Sequence, residues 1–269
     1  MKRTALEWKQ LYNDADFHRN YFYDGRLGFF YDSAENVFRE SVFRIWSPFA
    51  EEARIRFYRD GSEGDALAVH EMKRLEQGVW EYRECGDLHG VYYDFALQID
   101  GETRITTDVY ARACGINGKR SMAVDLRRTD PEGWEEDEAP EAGPEQVIYE
   151  IHVKEFSWAP AGGFPEEVRG KYRAFCCKDT TLYGDGVHPT GLSWLKELGI
   201  THVQLMPVYD YGSVDEAGDP MQFNWGYDPM NWNVPEGSYS SDPARGEIRI
   251  RELKEAVQSL HRQGFRVIM

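Results

Sequence analysis

Phe223-Asn224-Trp225-Gly226-Tyr227-Asp228-Pro229, continued as Asn231-Trp232-Asn233-Val234-Pro235-Glu236-Gly237-Ser238-Tyr239, lies in a long connection behind a short apolar strand. Two indoles and two phenols set among Asn, Asp and Glu offer flat apolar faces for a pyranose ring and polar groups for its hydroxyls. The same composition suits an aromatic loop packed on itself, so the residues alone leave both readings open. Connections this long are usually functional or disordered.

Working outward, the surroundings of this stretch alternate strands and helices. Gln146–Val153 is almost continuously apolar, as a buried parallel strand is. Gly191 to Gly199 places Leu192, Leu195 and Leu198 along one helical side and stops at glycine. Thr201–Val208 reads as the next strand. Glu252 to Gln263 is amphipathic through Leu253, Val257 and Leu260, and Phe265–Met269 begins another strand. The pattern allows an open doubly wound sheet or a barrel. A full eight-stranded barrel takes about 250 residues, about twice the span 146–269, so about three strands fit.

Upstream the grammar differs. Between Val42 and Tyr110 short alternating strands separated by turn residues mark a small antiparallel sandwich. Ala53–Phe57 alternates, and Val91–Ile99 puts Val91, Tyr93, Phe95, Leu97 and Ile99 on one face before Asp100-Gly101 turns the chain. Trp46 reads as a core residue of its strand. Trp80 and Tyr82 are candidates to line a sugar-facing surface, with packing the stronger reading for Trp80.

The stretch 223–239 closely resembles the signature of type I pullulanases, the α-1,6 debranching enzymes of glycoside hydrolase family 13. Tyr23-Asp24-Gly25-Arg26-Leu27-Gly28 with Phe43-Arg44-Ile45-Trp46-Ser47-Pro48-Phe49-Ala50 looks like the start of a family 48 carbohydrate-binding module. The resemblance runs from Asp24 to Met269 and is weakest over Ser62–Glu76. It implies a multidomain chain: an all-β immunoglobulin-like sandwich followed by the first part of an α/β TIM (β/α)8 barrel. The expected divisions are an N-terminal segment (1–20), the sandwich (21–129), an acidic solvated linker (130–145) and a partial barrel (146–269).

The resemblance also implies a substrate-binding set. Tyr227 would stack on the sugar where the bond is cut, and Gly226 would let the backbone turn beneath the ring. Asp228 would bind a hydroxyl or hold the loop. Trp225 and Asn224 complete the set, with bracing of the loop as their competing role. Trp232 stands where relatives commonly carry tyrosine.

Retaining glycoside hydrolysis needs two carboxyl groups about 5–5.5 Å apart. Glu150, Glu155, Asp210, Asp215, Asp228, Glu236 and Asp242 are present, yet spacing singles out no pair. The family's catalytic carboxylates follow later strands, so no catalytic residue is assigned and the chain alone is expected to be inactive. The whole enzyme would cut α-1,6 branches in pullulan, glycogen or limit dextrins with retention. A glycogen branching enzyme is the rival within enzymes, disfavoured by Asp228-Pro229-Met230-Asn231; a non-catalytic glucan-binding protein is the rival outside them.

With 47 acidic against 31 basic residues the net charge is −16, which argues against nucleic acid or an anionic membrane as partner and leaves an α-glucan as the expected one. His152 and His188 lack a second ligand at metal spacing, so both read as structural; no cofactor or metal is expected, and calcium in a longer protein stays open. Phosphate loops, serine elbows and dinucleotide glycine motifs are absent. Met1–Asn20 lacks the apolar core of a secretory signal and no transmembrane run is found. Cys85, Cys114, Cys176 and Cys177 show no disulfide or zinc pattern, so a cytoplasmic protein is expected.

Overall fold

The computed structural model describes residues 2–32 and 39–269. Met1 and residues 33–38, which fall in the expected N-terminal segment and sandwich, lie outside the described residues. Two compact units emerge, Met1–Gly115 with Lys119–Asp125, and Ile116–Gly118 with Leu126–Met269. Each is described by itself.

The first unit opens with two short helices, α1 (Ala5–Tyr12) and α2 (Ala15–Tyr21). Thr4 and Glu7 form a reciprocal capping box on α1, and the Asp14 carboxylate accepts from Asp16 N and Phe17 N on α2. These helices are not a separate segment. Phe17 is buried and stacks on Phe49 with ring centroids 5.4 Å apart, while Arg3 pairs with Asp100 at 2.5 Å.

Strands β1 (Gly28–Asp32), β2 (Glu40–Trp46), β3 (Glu52–Tyr58), β4 (Ala68–Glu71), β5 (Lys73–Arg74), β6 (Val79–Cys85), β7 (Tyr92–Ile99), β8 (Glu102–Thr106) and β9 (Ser121–Met122) follow. They form two sheets ordered β1-β2-β6-β5 and β4-β3-β7-β8, with β9 against β7, all pairs antiparallel. One core joins both sheets through Phe43, Ile45 and Trp80 on one side and Ile55, Tyr93, Phe95 and Leu97 on the other. The alternation of β7 is as expected from its sequence. Its opposite face carries buried Asp94, which takes two bonds of 2.7 Å from Arg56 and one of 3.1 Å from the Tyr58 hydroxyl. The β7–β8 turn is Asp100-Gly101 with φ of 53° and 75°, the double left-handed geometry that favours glycine.

Of the two tryptophans, Trp46 departs from the core place expected of it, whereas Trp80 takes the packed one. In β2 the inward positions are Phe43 and Ile45, so Trp46 points to the outer face, half-buried, its indole N–H shared between Tyr21 O and Gln77 O at 3.0 Å each. Trp80 lies opposite Ile45 in the ladder, is 6% exposed and donates to Ser47 O. It cannot line a sugar surface. Tyr82 packs beside this core, stacked on His70.

The second unit holds β10 (Ile148–Ile151), α3 (Val153–Trp158), α4 (Gly191–Glu197), β11 (His202–Leu205), β12 (Tyr209–Tyr211), β13 (Pro229–Pro235), α5 (Gly246–Arg262) and β14 (Arg266–Ile268). Strands β10, β11 and β14 form a parallel sheet in sequence order, with Ile148 opposite His202 and Gln204 opposite Ile268. Its core gathers Val203, Leu205, Leu192, Leu195, Ala256 and Leu260. No helix among the described residues is long and apolar enough to cross a membrane.

Four expectations change here. β10 was expected to be buried, yet Ile148 is 54% and Tyr149 38% exposed, because among the described residues the strand has a partner only along β11. Leu198 falls at the helix C-cap and is exposed. Helix α5 starts six residues before Glu252, adding Arg249 and Ile250 to its buried side. The acidic stretch is held rather than loosely solvated over its first part: Asp130 pairs with Lys254, Glu132 O accepts from Gln258, Asp137 contacts His261 and Pro140 O accepts from Arg266.

The difference between the two tryptophans is measurable. Trp80→Ala should destabilise the sandwich by about 3–5 kcal/mol through cavity formation, and Trp46→Ala by less, in urea unfolding followed by circular dichroism.

Candidate functional site

After β11 the chain turns through Pro207 into β12, runs out to residue 228, and returns as β13, whose first residue, Pro229, sits where a strand tolerates proline. The long connection is therefore partly a two-stranded ribbon, with Tyr209 opposite Pro235 and Tyr211 opposite Pro229 across irregular register. At its outer end the signature residues form a closed turn. The Asn224 side-chain oxygen accepts from Gly226 N at 2.8 Å, and its amide donates to Asp228 Oδ1 at 2.7 Å. Ser213 Oγ donates to the other Asp228 oxygen. The Ser213 hydroxyl first, and the Asn224 amide second, hold the Asp228 carboxyl below the usual carboxylate range.

Gly226 has φ of +88°, and a Cβ there would lie 2.5 Å from Pro207 O. Only glycine fits this approach of the turn to the base of the ribbon. The rings meanwhile point outward: Trp225 is 62%, Tyr227 65% and Trp232 64% exposed, with Trp232 beside Tyr209 at 6.0 Å. Loop packing does not account for Trp225 or Tyr227. Asn224 and Asp228, by contrast, hold the turn. The platform is an open surface; a separate cleft of about 310 Å³ beside β10 is lined by Tyr149, Glu150, His152, Glu155 and Trp194 and does not include it.

His152 braces the turn from below. It caps α3, its Nδ1 accepting from Glu155 N at 3.3 Å, which leaves the proton on Nε2 to donate to Asn224 O at 2.8 Å, with the Tyr239 hydroxyl at 3.1 Å. Lys154, the second residue of α3, donates to Pro220 O at 2.5 Å and to Gln222 O. Lys171, its ammonium pulled down by burial, donates to Ser238 O at 2.7 Å. His188 is exposed and contacts Asp185 at 2.6 Å in a distant turn.

Beneath the ribbon lies a group that sequence reading missed. Arg249 of α5 is fully buried and reaches Asp210 Oδ1 at 3.2 Å, Glu216 at 2.9 Å, Pro235 O at 3.2 Å and Pro243 O at 3.0 Å. Asp210 also accepts from Asn231 at 2.7 Å, and Glu216 from Asn117 N at 2.8 Å and Gly237 N at 3.0 Å. Glu236, buried, accepts from Tyr211 N at 3.1 Å and Ser238 N at 2.8 Å. Oxygens of Asp210, Glu216 and Glu236 lie within 4.8 Å of one another, a spacing that would suit a cation. A guanidinium and backbone amides already serve them, so the donor set does not fit a metal. Nor do Asp210 and Glu236, each 0% exposed, face a sugar.

Burial, then the nearby Glu216 carboxylate, pushes the Glu236 carboxyl up to about 7. A carboxyl raised on folding contributes stability fully below its unfolded value near 4.5, and this is lost as pH rises through about 7. Glu236→Gln should remove that dependence. Compared with the parent, the variant should gain roughly 2–4 kcal/mol in relative stability between pH 4 and pH 8, read from denaturant unfolding at each pH.

The family profile for carbohydrate-binding module 48 (isoamylase N-terminal domain) matches residues 26–111. A pullulanase of Bacillus subtilis is 36% identical over 269 residues, covering 99% of this chain and 35% of the relative. The chloroplastic pullulanase 1 of Arabidopsis thaliana is 30% identical, covering 92% of this chain and 28% of that protein. The crystal structure of a pullulanase from Paenibacillus barengoltzii, in complex with maltohexaose and α-cyclodextrin, superposes with a TM-score of 0.88 at 41% identity over 96% of this chain and 39% of that one. The chain thus spans about a third of the length of the proteins it matches. The first unit has the sheet-dominated fold of the family 48 module, and by sequence and structure together the chain belongs to the type I pullulanase family.

Proposed function

We propose that the whole protein is a glycoside hydrolase cutting α-1,6-glucosidic branch linkages in pullulan, glycogen or limit dextrins, with retention through a covalent glycosyl intermediate. In this reading residues 21–129 are an immunoglobulin-like, glucan-binding sandwich, 130–145 a linker, and 146–269 the first three strands of a (β/α)8 barrel. The parallel order β10-β11-β14 supports the barrel, whose sites gather at the C-terminal ends of strands, where the signature connection leaves β11.

The observation that carries the proposal is the exposed platform on a braced turn. Tyr227 stacks on a glucose ring, Trp225 widens the apolar face, and Asn224 and Asp228 present polar atoms at its edge while holding the turn. A turn braced in advance loses little backbone freedom on binding. Asp210 and Glu216 are sealed around Arg249 and the Asp228 carboxylate is committed to Ser213 and Asn224, and in this reading the catalytic pair follows later strands, so this chain by itself binds and does not cleave. Four free thiols support a reducing, cytoplasmic setting.

Calorimetric titration of the chain with maltohexaose tests the platform. Tyr227→Ala should weaken binding about three- to ten-fold, the range expected for one aromatic stacking contact, with the thermal midpoint unchanged. Unaltered affinity would overturn the assignment. Release of reducing ends from pullulan by the whole protein, without new branches, separates debranching from branching activity.

A further inference from the structure

The outer face of β2 and the helices α1 and α2 enclose a groove of about 460 Å³ in the first unit, well apart in sequence from the signature turn. Its wall is aromatic: Tyr12, Phe17, Tyr21, Phe22, Trp46 and Tyr110. Burial does not consume the outer rings. Phe22 is 67%, Tyr110 46% and Tyr12 43% exposed. Phe17 forms the floor through its stack on Phe49, and Trp46 is locked by the two carbonyls that accept its N–H. The rims are thus exposed aromatic faces on a fixed base.

The polar atoms are distributed as a sugar requires. Among the described residues the hydroxyls of Tyr12, Tyr21 and Tyr110 have no hydrogen-bond partner, so three residues that line the groove each carry an uncommitted donor–acceptor group. Tyr23 at one end accepts from Arg44 at 3.0 Å and also borders an adjoining hollow with Arg74, Glu76 and Gln77. Apolar planes interleaved with neutral hydroxyls suit the alternating apolar and hydroxylated faces of a glucan better than an anionic ligand or an all-apolar peptide. The volume falls in the range of small-ligand sites and is of the size of a short oligosaccharide segment.

We infer that this groove is a second α-glucan site, holding a short malto-oligosaccharide segment between the N-terminal helices and the sandwich. The inference rests on the glucan reading proposed above and extends it. Trp46 and Tyr110 lie within residues matched to the carbohydrate-binding module, whereas Tyr12, Phe17, Tyr21 and Phe22 precede that match. The site is therefore a composite, and the helices are part of the binding unit rather than a leader to it. Trp46, withdrawn from the core, supplies its back wall.

Affinity electrophoresis of the full chain through glycogen gels tests it, in a background carrying Trp225→Ala with Tyr227→Ala so that the signature platform is removed. Retardation should persist in that background and weaken about three- to ten-fold on adding Phe22→Ala or Tyr110→Ala, whose exposed rings can be removed without opening the core. Tyr110→Phe, keeping the ring and losing the hydroxyl, should weaken it less. Retardation that persists in the platform background but ignores the groove substitutions overturns the groove while leaving glucan binding by the chain. Retardation abolished by the platform changes alone overturns the groove and upholds the platform. No retardation of the parent chain overturns both.

Discussion

The buried guanidinium of Arg249 is the interaction on which the second unit's surface depends. From one helix it reaches a ribbon strand through Asp210, the outgoing loop through Glu216, and the returning chain through Pro235 O and Pro243 O. Its carboxylate partners carry the same ties further, to Asn117, Asn231 and Gly237. A buried pair of this kind is weak evidence for stability by itself, since desolvation offsets much of the attraction. Its loss is another matter. Two carboxylates left in a dry interior without their cation would cost about 3–5 kcal/mol, and the local answer is to open the loop. What the cluster provides is a single arrangement of the ribbon, the outgoing loop and the start of α5.

On that base the signature turn can afford to point its rings at solvent. Asn224, Asp228 and Ser213 close the turn by side-chain hydrogen bonds, His152 and Lys154 fasten its carbonyls to α3, and Gly226 permits the close pass over Pro207. Hydrophobic burial fixes the strands; polar bonds fix the platform. Such a division suits the proposed contact with a neutral polymer, for which the rings stay exposed on a held turn.

Much of this was legible in the residues. The alternation of Val91–Ile99 foretold the inward face of β7, and the glycine after Asp100 foretold the turn. The outward place of Trp46 was misread, although parity carries it: with Phe43 and Ile45 inward, Trp46 must face out. Arg249 was readable in the same way, because it lies four and seven residues before Leu253 and Ala256 on the apolar side of α5. A charge on that stripe announces a buried partner, though not which one. The partner Glu216, and its bond to Asn117 from a turn 99 residues earlier, depend on tertiary placement that no local pattern encodes. The same holds for His152, whose role as cap and brace needs the fold to bring Asn224 over it. Exposure of β10 also escaped reading, because an apolar strand does not reveal how many neighbours it has.

Hydrogen exchange resolved by mass spectrometry, comparing the parent chain with Arg249→Met, tests the dependence of the platform on its buried cation most directly. Amides across 209–239 should lose protection by at least about ten-fold while those of β2, β3 and β7 keep theirs, since a lost buried pair of this kind is worth several kcal/mol of local opening. Unchanged protection across 209–239 in the variant would show that the loop holds its shape without Arg249, and would contradict the central role given to it here.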